Sequence, residues 1–499
     1  MEQTYATSAV DLSSVETTPA EPEAGSMIET FRAIGYSLET AVADIIDNSI
    51  SAGAYNVWVD FDWKGASTWL AIKDDGSGMN NEELIRAMRP GSRNPNEVRH
   101  SHDLGRFGLG LKTASFSQCR KLCVISKKKE ANPIYWTWDL DYVNQTGKWN
   151  LIRILPDLLF EQQLEELESG TTVVWNDIDR LVSNLNEGDK SSLDKFLKRM
   201  EQVKQHLAMT FHRYIENNKI KLWFQQREVI AWDPFLINEP ATQKFPEEPL
   251  QGAKVKLRGY VLPHKSKLTT VKFREAEGPN GWNAHQGFYI YRKERLLLAG
   301  DWLGMFRKEE HFKLARIMID LPNSLDEDWQ IDIKKSVARP PLVLRDHLKA
   351  YASKVRAQAV EVYRHKGKVL QRKYASVEFQ PVWVEKVRHG KRFYNINREH
   401  PLISQLLSGF TGKAADLQRL LRLIEETVPV PLITIRESEQ PDAQGQPFEG
   451  SSHEPVINLM KLMYQSFIAQ GKTDEFAKMA ILNMEPFNLY PQFIDSVSE

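Results

Sequence analysis

Three short motifs, close together near the N-terminus, limit what this chain can fold into. Asp44, Asp47 and Asn48 lie on a run whose apolar residues (Phe31, Ile34, Leu38, Val42, Ile45 and Ile46) recur at helical spacing from Met27 to Ser51, with Gly53 as the stop. Asp74-x-Gly76-x-Gly78 follows two alternating strand patterns, Val57 to Phe61 and Trp69 to Ile72. Gly105-Arg-Phe-Gly108-Leu-Gly110-Leu-Lys112 opens a short helix at Thr113 to Ser117 that leads into a strand, Leu122 to Ser126. Taken singly, each has an ordinary explanation: a solvated or capping Asp-Asn pair, a hairpin turn, a glycine loop. Taken in this order, they supply the parts of a nucleotide site.

Glycines let backbone approach phosphate oxygens, and a helix N-terminus offers free N–H groups and a favourable dipole. Gly105, Gly108 and Gly110 fit that role, and Lys112 follows with an ammonium for the terminal phosphates. The side-chain oxygen of Asn48 is a hard ligand suited to Mg²⁺. Asp44, one helical turn earlier, faces the same side and can orient a water. Asp74, at a strand end, can accept from an adenine amino group. Two commoner motifs fail. Gly105 to Thr113 approaches the P-loop pattern, but Leu111 intrudes before Lys112; the dinucleotide fingerprint lacks its third glycine, where Thr113 stands. The polar stretch 79–105, with a short helix at Glu82 to Met88, reads as a long mobile loop of the kind that is usually functional.

Ala43-Asp44-Ile-Ile-Asp47-Asn48-Ser-Ile-Ser-Ala52, Asp74-Asp-Gly76-Ser-Gly78-Met79, the Gly105 to Lys112 segment and Gly170-Thr171 resemble the four motifs of the GHKL ATPases. That superfamily includes gyrase B, the large heat-shock chaperone, MutL and sensor histidine kinases. The segment from Gly105 to Lys129 is most similar to MORC proteins and their prokaryotic relatives. The resemblance implies an α+β chain with an N-terminal Bergerat fold, a two-layer α/β sandwich over 26–180, with ATP held between helices under the lid. It implies ATP and Mg²⁺ as cofactors and Asp44 as the base. The nucleotide would be bound by Asn48, Asp74, Gly76, Gly78, Met79, Gly105, Phe107, Gly108, Leu109, Gly110, Lys112 and Thr171, with Asn48 on the metal. The family usually has Glu where this chain has Asp44, so hydrolysis is expected to be slow.

Residues 181–375 resemble the transducer domain that follows the ATPase domain in the gyrase, MutL and MORC branches and returns a lysine to the γ-phosphate. Lys335, then Lys334, are the candidates. The resemblance implies an ATP-gated homodimeric clamp on DNA, in relatives often tied to restriction-modification or phage defence. A protein-remodelling chaperone and a non-hydrolysing ATP-sensing adaptor are the alternatives.

Composition refines this. Lys and Arg total 65 against 66 Asp and Glu, which excludes a uniformly basic nucleic-acid binder. From Arg345 to Lys373, however, nine basic residues face only Asp346 and Glu361, and 381–398 adds five more among Trp383, Phe393 and Tyr394. Basic charge interleaved with aromatics suits phosphate-backbone contact, so 345–398 is the expected DNA surface. Residues 1–25 carry five acids and no Lys or Arg, and read as a disordered tail. The region 376–499 reads as an accessory, partly helical part suited to a partner protein or to dimerisation. The two cysteines, Cys119 and Cys123, read as small buried hydrophobes. With no long apolar run and no charged secretory start, the chain is expected to be cytoplasmic and free of membrane.

Overall fold

The computed structural model describes residues 18, 20, 22–91, 110–182, 188–250, 254–332, 335, 338–364, 380–388, 391–409, 414–429, 453–487 and 490–498. The expected tail up to residue 17, most of the lid (92–109, with Gly105, Phe107, Gly108 and Leu109) and Lys334 lie outside the described residues.

The expected single helix from Met27 to Ser51 is two: α1 (Ala24–Ala33) and α2 (Leu38–Ser51). Gly35, at φ +77°, takes the left-handed conformation that ends α1, and Ser37 restarts the helix by accepting from the Thr40 amide. Ala24 is buried at the start of α1, so this helix begins inside the stretch read as tail.

The first sheet holds β1 (Asn56–Asp62), β2 (Trp69–Asp74), β3 (Lys121–Lys127), β4 (Ile134–Asp139), β5 (Gly170–Asn176), β6 (Lys221–Phe224) and β7 (Arg227–Glu228), in the order β4-β3-β5-β2-β1-β6-β7. All its pairs are antiparallel except β1 with β6, which makes the sheet mixed. The main core joins α1 and α2 (Ile28, Val42, Ile46) to Val57 and Ile72 of the sheet, Phe116, Trp175 and the helix Lys190–Thr210, through Phe196, Val203 and Leu207. Alternation along the strands sends Cys123, Ile125 and Val174 to the opposite face, where the helix Leu158–Glu165 covers them with Phe160 and Leu164. Both thiols are buried.

This layer does not end at residue 180, where the sequence reading sets its boundary. The helix after 190 and strands β6 and β7 complete the same sheet and core, out to Val229. The reason is long range: β6 pairs in parallel with β1, and its residues show that partner only once the chain has crossed back over the helix.

The second sheet contains β8 (Gln243–Lys244), β9 (Glu248–Leu250), β10 (Val255–Val261), β11 (Gly287–Arg292), β12 (Arg295–Asp301) and β13 (Ala315–Leu321). The helix Leu342–Arg364 packs on β10 and β13 with Leu348, Tyr351, Val355 and Ala359 in the core. Gly259 makes that approach possible, since a Cβ there would lie 2.5 Å from Val355 Cγ2. Both sheets belong to one compact unit, 1–367. A second unit, 368–499, holds the hairpin β14 (Trp383–Arg388) and β15 (Lys391–Ile396). Its helices Pro401–Gly409, Ala414–Thr427, Glu454–Ala469 and Asp474–Leu482 follow, and a small core gathers Val456, Met460, Met463, Ile481 and Phe487. No helix among the described residues is long and apolar enough to cross a membrane.

Candidate nucleotide site

One side of α2 leaves the apolar core and presents two acids to the second sheet. Asp44 and Asp47 are 3% and 1% exposed, whereas Asn48, the next residue, is open to solvent. Buried carboxylates demand partners, and these come from far along the chain. Arg295 Nε donates to Asp47 Oδ1 at 2.9 Å and stands 2.8 Å from Oδ2, with its NH2 3.5 Å from Asp44 Oδ1. Lys335 Nζ lies 2.5 Å from Asp47 Oδ2 and 3.2 Å from Asp44 Oδ1. Tyr36 Oη donates to Asp44 Oδ2 at 2.9 Å.

These contacts divide the acids. Burial pushes the Asp44 carboxyl above its ordinary value, opposed by Lys335 and Arg295 and reinforced by Asp47. Burial acts on Asp47 too, but Arg295 and Lys335 outweigh it and hold that carboxyl below the usual range. Asp44 Oδ1 is also buried without a hydrogen bond to any described residue.

The two cations are set by local structure. Lys293 and Glu294, at φ +49° and +68°, make a two-residue left-handed turn between β11 and β12. Arg292, before the turn, grips Asp326 with Nε to Oδ1 at 2.8 Å and NH2 to Oδ2 at 2.7 Å; Arg295, after it, reaches α2. Asp326 roots the loop that carries Lys335, and buried Trp329 anchors it, its carbonyl accepting from the Arg339 amide at 2.7 Å. Lys335 itself has φ +51°, an uncommon conformation for a side chain of its kind.

The second motif closes the other end. Asp74 ends β2, buried, and accepts from Ser49 Oγ at 2.7 Å and from the Gly76 amide at 3.0 Å. Burial pushes its carboxyl up to about 6 despite these donors. Its neighbour Asp75 has a structural task, accepting from the Tyr55 and Asn56 amides at 2.7 and 2.8 Å. Gly78, at φ +61°, crosses the end of β3 so tightly that a Cβ would lie 1.9 Å from the Lys127 carbonyl oxygen. Beyond it, the Met79 amide donates to Ser126 Oγ at 2.8 Å, and Ser126 Oγ lies 2.9 Å from Thr171 Oγ1. Thr171 is itself the register partner of Asp74.

The third motif is described from Gly110 onward. A helix, Gly110–Phe116, starts beside α2, and a Cβ on Gly110 would lie 3.7 Å from Asp44 Oδ2. Lys112 is buried, and its ammonium donates to the Ala87 carbonyl at 2.9 Å, at the end of α3 (Asn81–Met88).

Asp44, Asn48, Asp74, Gly76, Gly78, Met79, Thr171 and Gly110 thus gather around α2 and the strand ends, and Lys335 joins them from the second sheet. Three residues that the motifs do not indicate, Tyr36, Ser126 and Arg295, complete the arrangement. The one available signal for Arg295 is a basic residue opening the apolar strand run Leu296-Leu-Leu-Ala299.

The donor set fits a magnesium nucleotide: a buried carboxylate oxygen that faces two cations without a hydrogen bond among the described residues, an exposed amide one residue past the acid pair, and turns in which glycine keeps the backbone bare. Residues 36–171 match the model of the histidine kinase-, DNA gyrase B- and HSP90-like ATPase family. The chain is similar to ATPase morc-1 of Caenorhabditis elegans, 34% identical over 89 residues, which covers 18% of this chain and 10% of that protein. It is also similar to the DNA mismatch repair protein MutL of Shewanella denitrificans, 36% identical over 96 residues, 18% of this chain and 14% of that one. A MutL from another Shewanella is 26% identical over 192 residues, 36% of this chain and 27% of that protein. The chain therefore spans only about a tenth to a quarter of the length of these relatives. Residues 36–171 thus carry a GHKL-type ATPase domain with a Bergerat-like mixed fold, and over part of its length the chain is similar to a MORC ATPase and to MutL proteins.

Proposed function

We propose that this chain hydrolyses ATP at the α2 site and uses the nucleotide to gate a homodimeric clamp on DNA. The observation that carries the reading is Lys335. It departs from a loop beyond the second sheet, yet its ammonium sits on Asp44 and Asp47 of the first layer. A cation shared between the two layers is what a nucleotide must recruit if its terminal phosphate is to be felt outside the binding domain.

In this reading Asp44 takes the proton of the attacking water, with Oδ2 held by Tyr36 and Oδ1 turned to the water once the terminal phosphate recruits Lys335 from it. Asp74 accepts from the adenine amino group, and the bare turns at Gly76 and Gly78 let the base lie against backbone. Asn48 would hold Mg²⁺, which when bound screens phosphate charge and orients the terminal phosphate. Turnover is slow, because Asp44 is one methylene shorter than the glutamate usual in the family. DNA contact is assigned to the basic stretch 345–398. In support, Arg345, Lys349 and Lys354 are exposed on the helix Leu342–Arg364, and the MutL relatives are mismatch-repair proteins by name. That stretch continues into the second unit, so its two ends lie in separately folded parts.

The test is steady-state ATP hydrolysis by the full-length protein and by Asp44→Asn, with nucleotide affinity measured in parallel. Asp44→Asn is expected to bind ATP and to lose about 100-fold or more of the rate, the usual worth of a general base. Equal rates with equal binding would leave the chain a nucleotide-sensing adaptor.

A further inference from the structure

We propose that His212, Glu216 and Asp233 form a site for one divalent transition-metal cation of the zinc type, at the joint between the two sheets of the first unit. The site is separate from the nucleotide site and does not depend on the ATPase reading.

One ring nitrogen of His212, one oxygen of Glu216 and one of Asp233 lie within 4.8 Å of one another, and no other such trio of His, Cys, Asp or Glu converges among the described residues. His212 and Glu216 stand four apart on the short helix His212–Glu216, so they share a face. His212 Nδ1 is 3.3 Å from Glu216 Oε2. Zinc bonds of about 2.0–2.2 Å put neighbouring ligand atoms roughly 3.3–3.6 Å apart in a tetrahedron, so this pair already has the spacing.

Asp233 comes from the loop after β7, and backbone fixes its carboxylate in advance. Oδ1 accepts from the Phe235 amide at 2.8 Å and Oδ2 from the Ile237 amide at 2.6 Å. Each oxygen keeps a second lone pair for an ion. Glu216, exposed at the rim, can swing to close the remaining distance, and its open side leaves room for water as a fourth ligand.

The far side of the imidazole completes the case. His212 is 1% exposed, and its Nε2 lies 2.8 Å from Tyr291 Oη on β11. A metal at Nδ1 puts the ring proton on Nε2, where the Tyr291 oxygen can accept it, and such an outer partner orients ligating histidines generally. The nearby guanidiniums are committed elsewhere. Arg213 binds Asp320 and stacks 3.6 Å from the Tyr291 ring centre; Arg316, whose charge Asp233 feels, donates to the Pro234 and Ala276 carbonyls. A dication balances the two carboxylates that converge on one imidazole. That ligand set suits zinc, cobalt or manganese better than magnesium, which takes oxygen ligands and keeps its waters. Bound there, the ion joins the helix that closes the first layer to the crossover loop and, through Tyr291, to the second sheet.

The test uses full-length protein without an affinity tag or nucleotide, stripped with a chelator and dialysed against buffered Zn²⁺ at micromolar free concentration. Wild type is expected to retain one zinc per chain and to unfold at a higher midpoint with zinc than without. Tyr291→Phe is expected to weaken zinc binding by about 10-fold, and Glu216→Gln or Asp233→Asn by more, with the midpoint shift lost. His212→Gln is expected to lose the metal; if that buried change prevents folding, the exposed Glu216→Gln carries the same comparison. Asn48→Ala, at the nucleotide site, is expected to keep the zinc. A folded wild type that retains no zinc, or zinc held equally well by Glu216→Gln and Asp233→Asn, would overturn the proposal and leave the trio a hydrogen-bonded cluster. Zinc lost in Asn48→Ala would place the ion elsewhere and overturn it too, whereas a wild type without ATP turnover would remove only the ATPase reading.

Discussion

Asp74 shows how one side chain carries opposing demands. Its carboxyl is buried and raised to about 6 in the folded protein, against 3.8 as its ordinary value. A raised folded pKa means the folded state binds the proton first: the stabilising contribution is present below about 4 and lost as pH rises through about 6. At pH 8 the charged form is thus a cost, of order 1–3 kcal/mol. Asp74→Asn removes that charge, so it is expected to raise the thermal midpoint at pH 8 and to do so much less at pH 5. On the proposed reading the same change deprives the adenine amino group of its acceptor, and ATP affinity is expected to fall at least about ten-fold. Calorimetry of unfolding and of nucleotide binding checks both signs; retained affinity would remove Asp74 from the site. Residues such as Asp44, Asn48 and Asp74 are legible in the sequence because their neighbours in the chain are also their neighbours in the site. Arg295 and Ser126 are not, since each takes its meaning from a partner on another element, 248 positions away in the case of Arg295 and Asp47.

At the scale of elements, local signals placed the short helix α3 and strands β1, β2 and β3, all of which depend on periodicity or flanking turns. What periodicity missed was a break and a boundary. Gly35 splits the first helix although the apolar spacing continues across it, and β6 joins the first sheet by parallel pairing across a long crossover. The turn after β2 offers a sharp test. Gly78 combines φ +61° with a Lys127 carbonyl oxygen where a Cβ would stand, so Gly78→Ala must displace backbone rather than a pliable side chain. A loss of roughly 1–3 kcal/mol is expected, together with loss of ATP binding, whereas Gly53→Ala, with open space around it, costs only its φ strain. Urea unfolding of the two variants separates crowding from conformational strain. The helix Leu342–Arg364 is tested differently. Reversing Arg345, Lys349 and Lys354 to Glu is expected to weaken duplex DNA binding across all sequences and to reduce the salt slope by about one for every phosphate no longer engaged. An unchanged slope would take this helix off the DNA.

At the scale of the molecule, the two layers of the first unit meet at Lys335. The lysine answers to two acids on α2 and sits on a loop rooted by Asp326, Arg292 and Trp329 in the second layer. A ligand moves such an equilibrium only by as much as it binds one state better than the other. ATP and ADP differ by the terminal phosphate, the one group with a reason to compete for this ammonium. The nucleotide state should therefore be read out by Lys335, and loss of its charge should uncouple binding from assembly. In light scattering, the full-length protein with a non-hydrolysed ATP analogue and Mg²⁺ is expected to double its mass, and with ADP to remain a monomer. Lys335→Met is expected to bind the analogue within about ten-fold of wild type yet stay monomeric at the same saturation. A wild type that stays monomeric when saturated with the analogue would rule out the dimeric clamp while leaving the ATPase intact. A Lys335→Met variant that still dimerises would show that the signal leaves the site by another path, and residues 92–109 would be the next to probe.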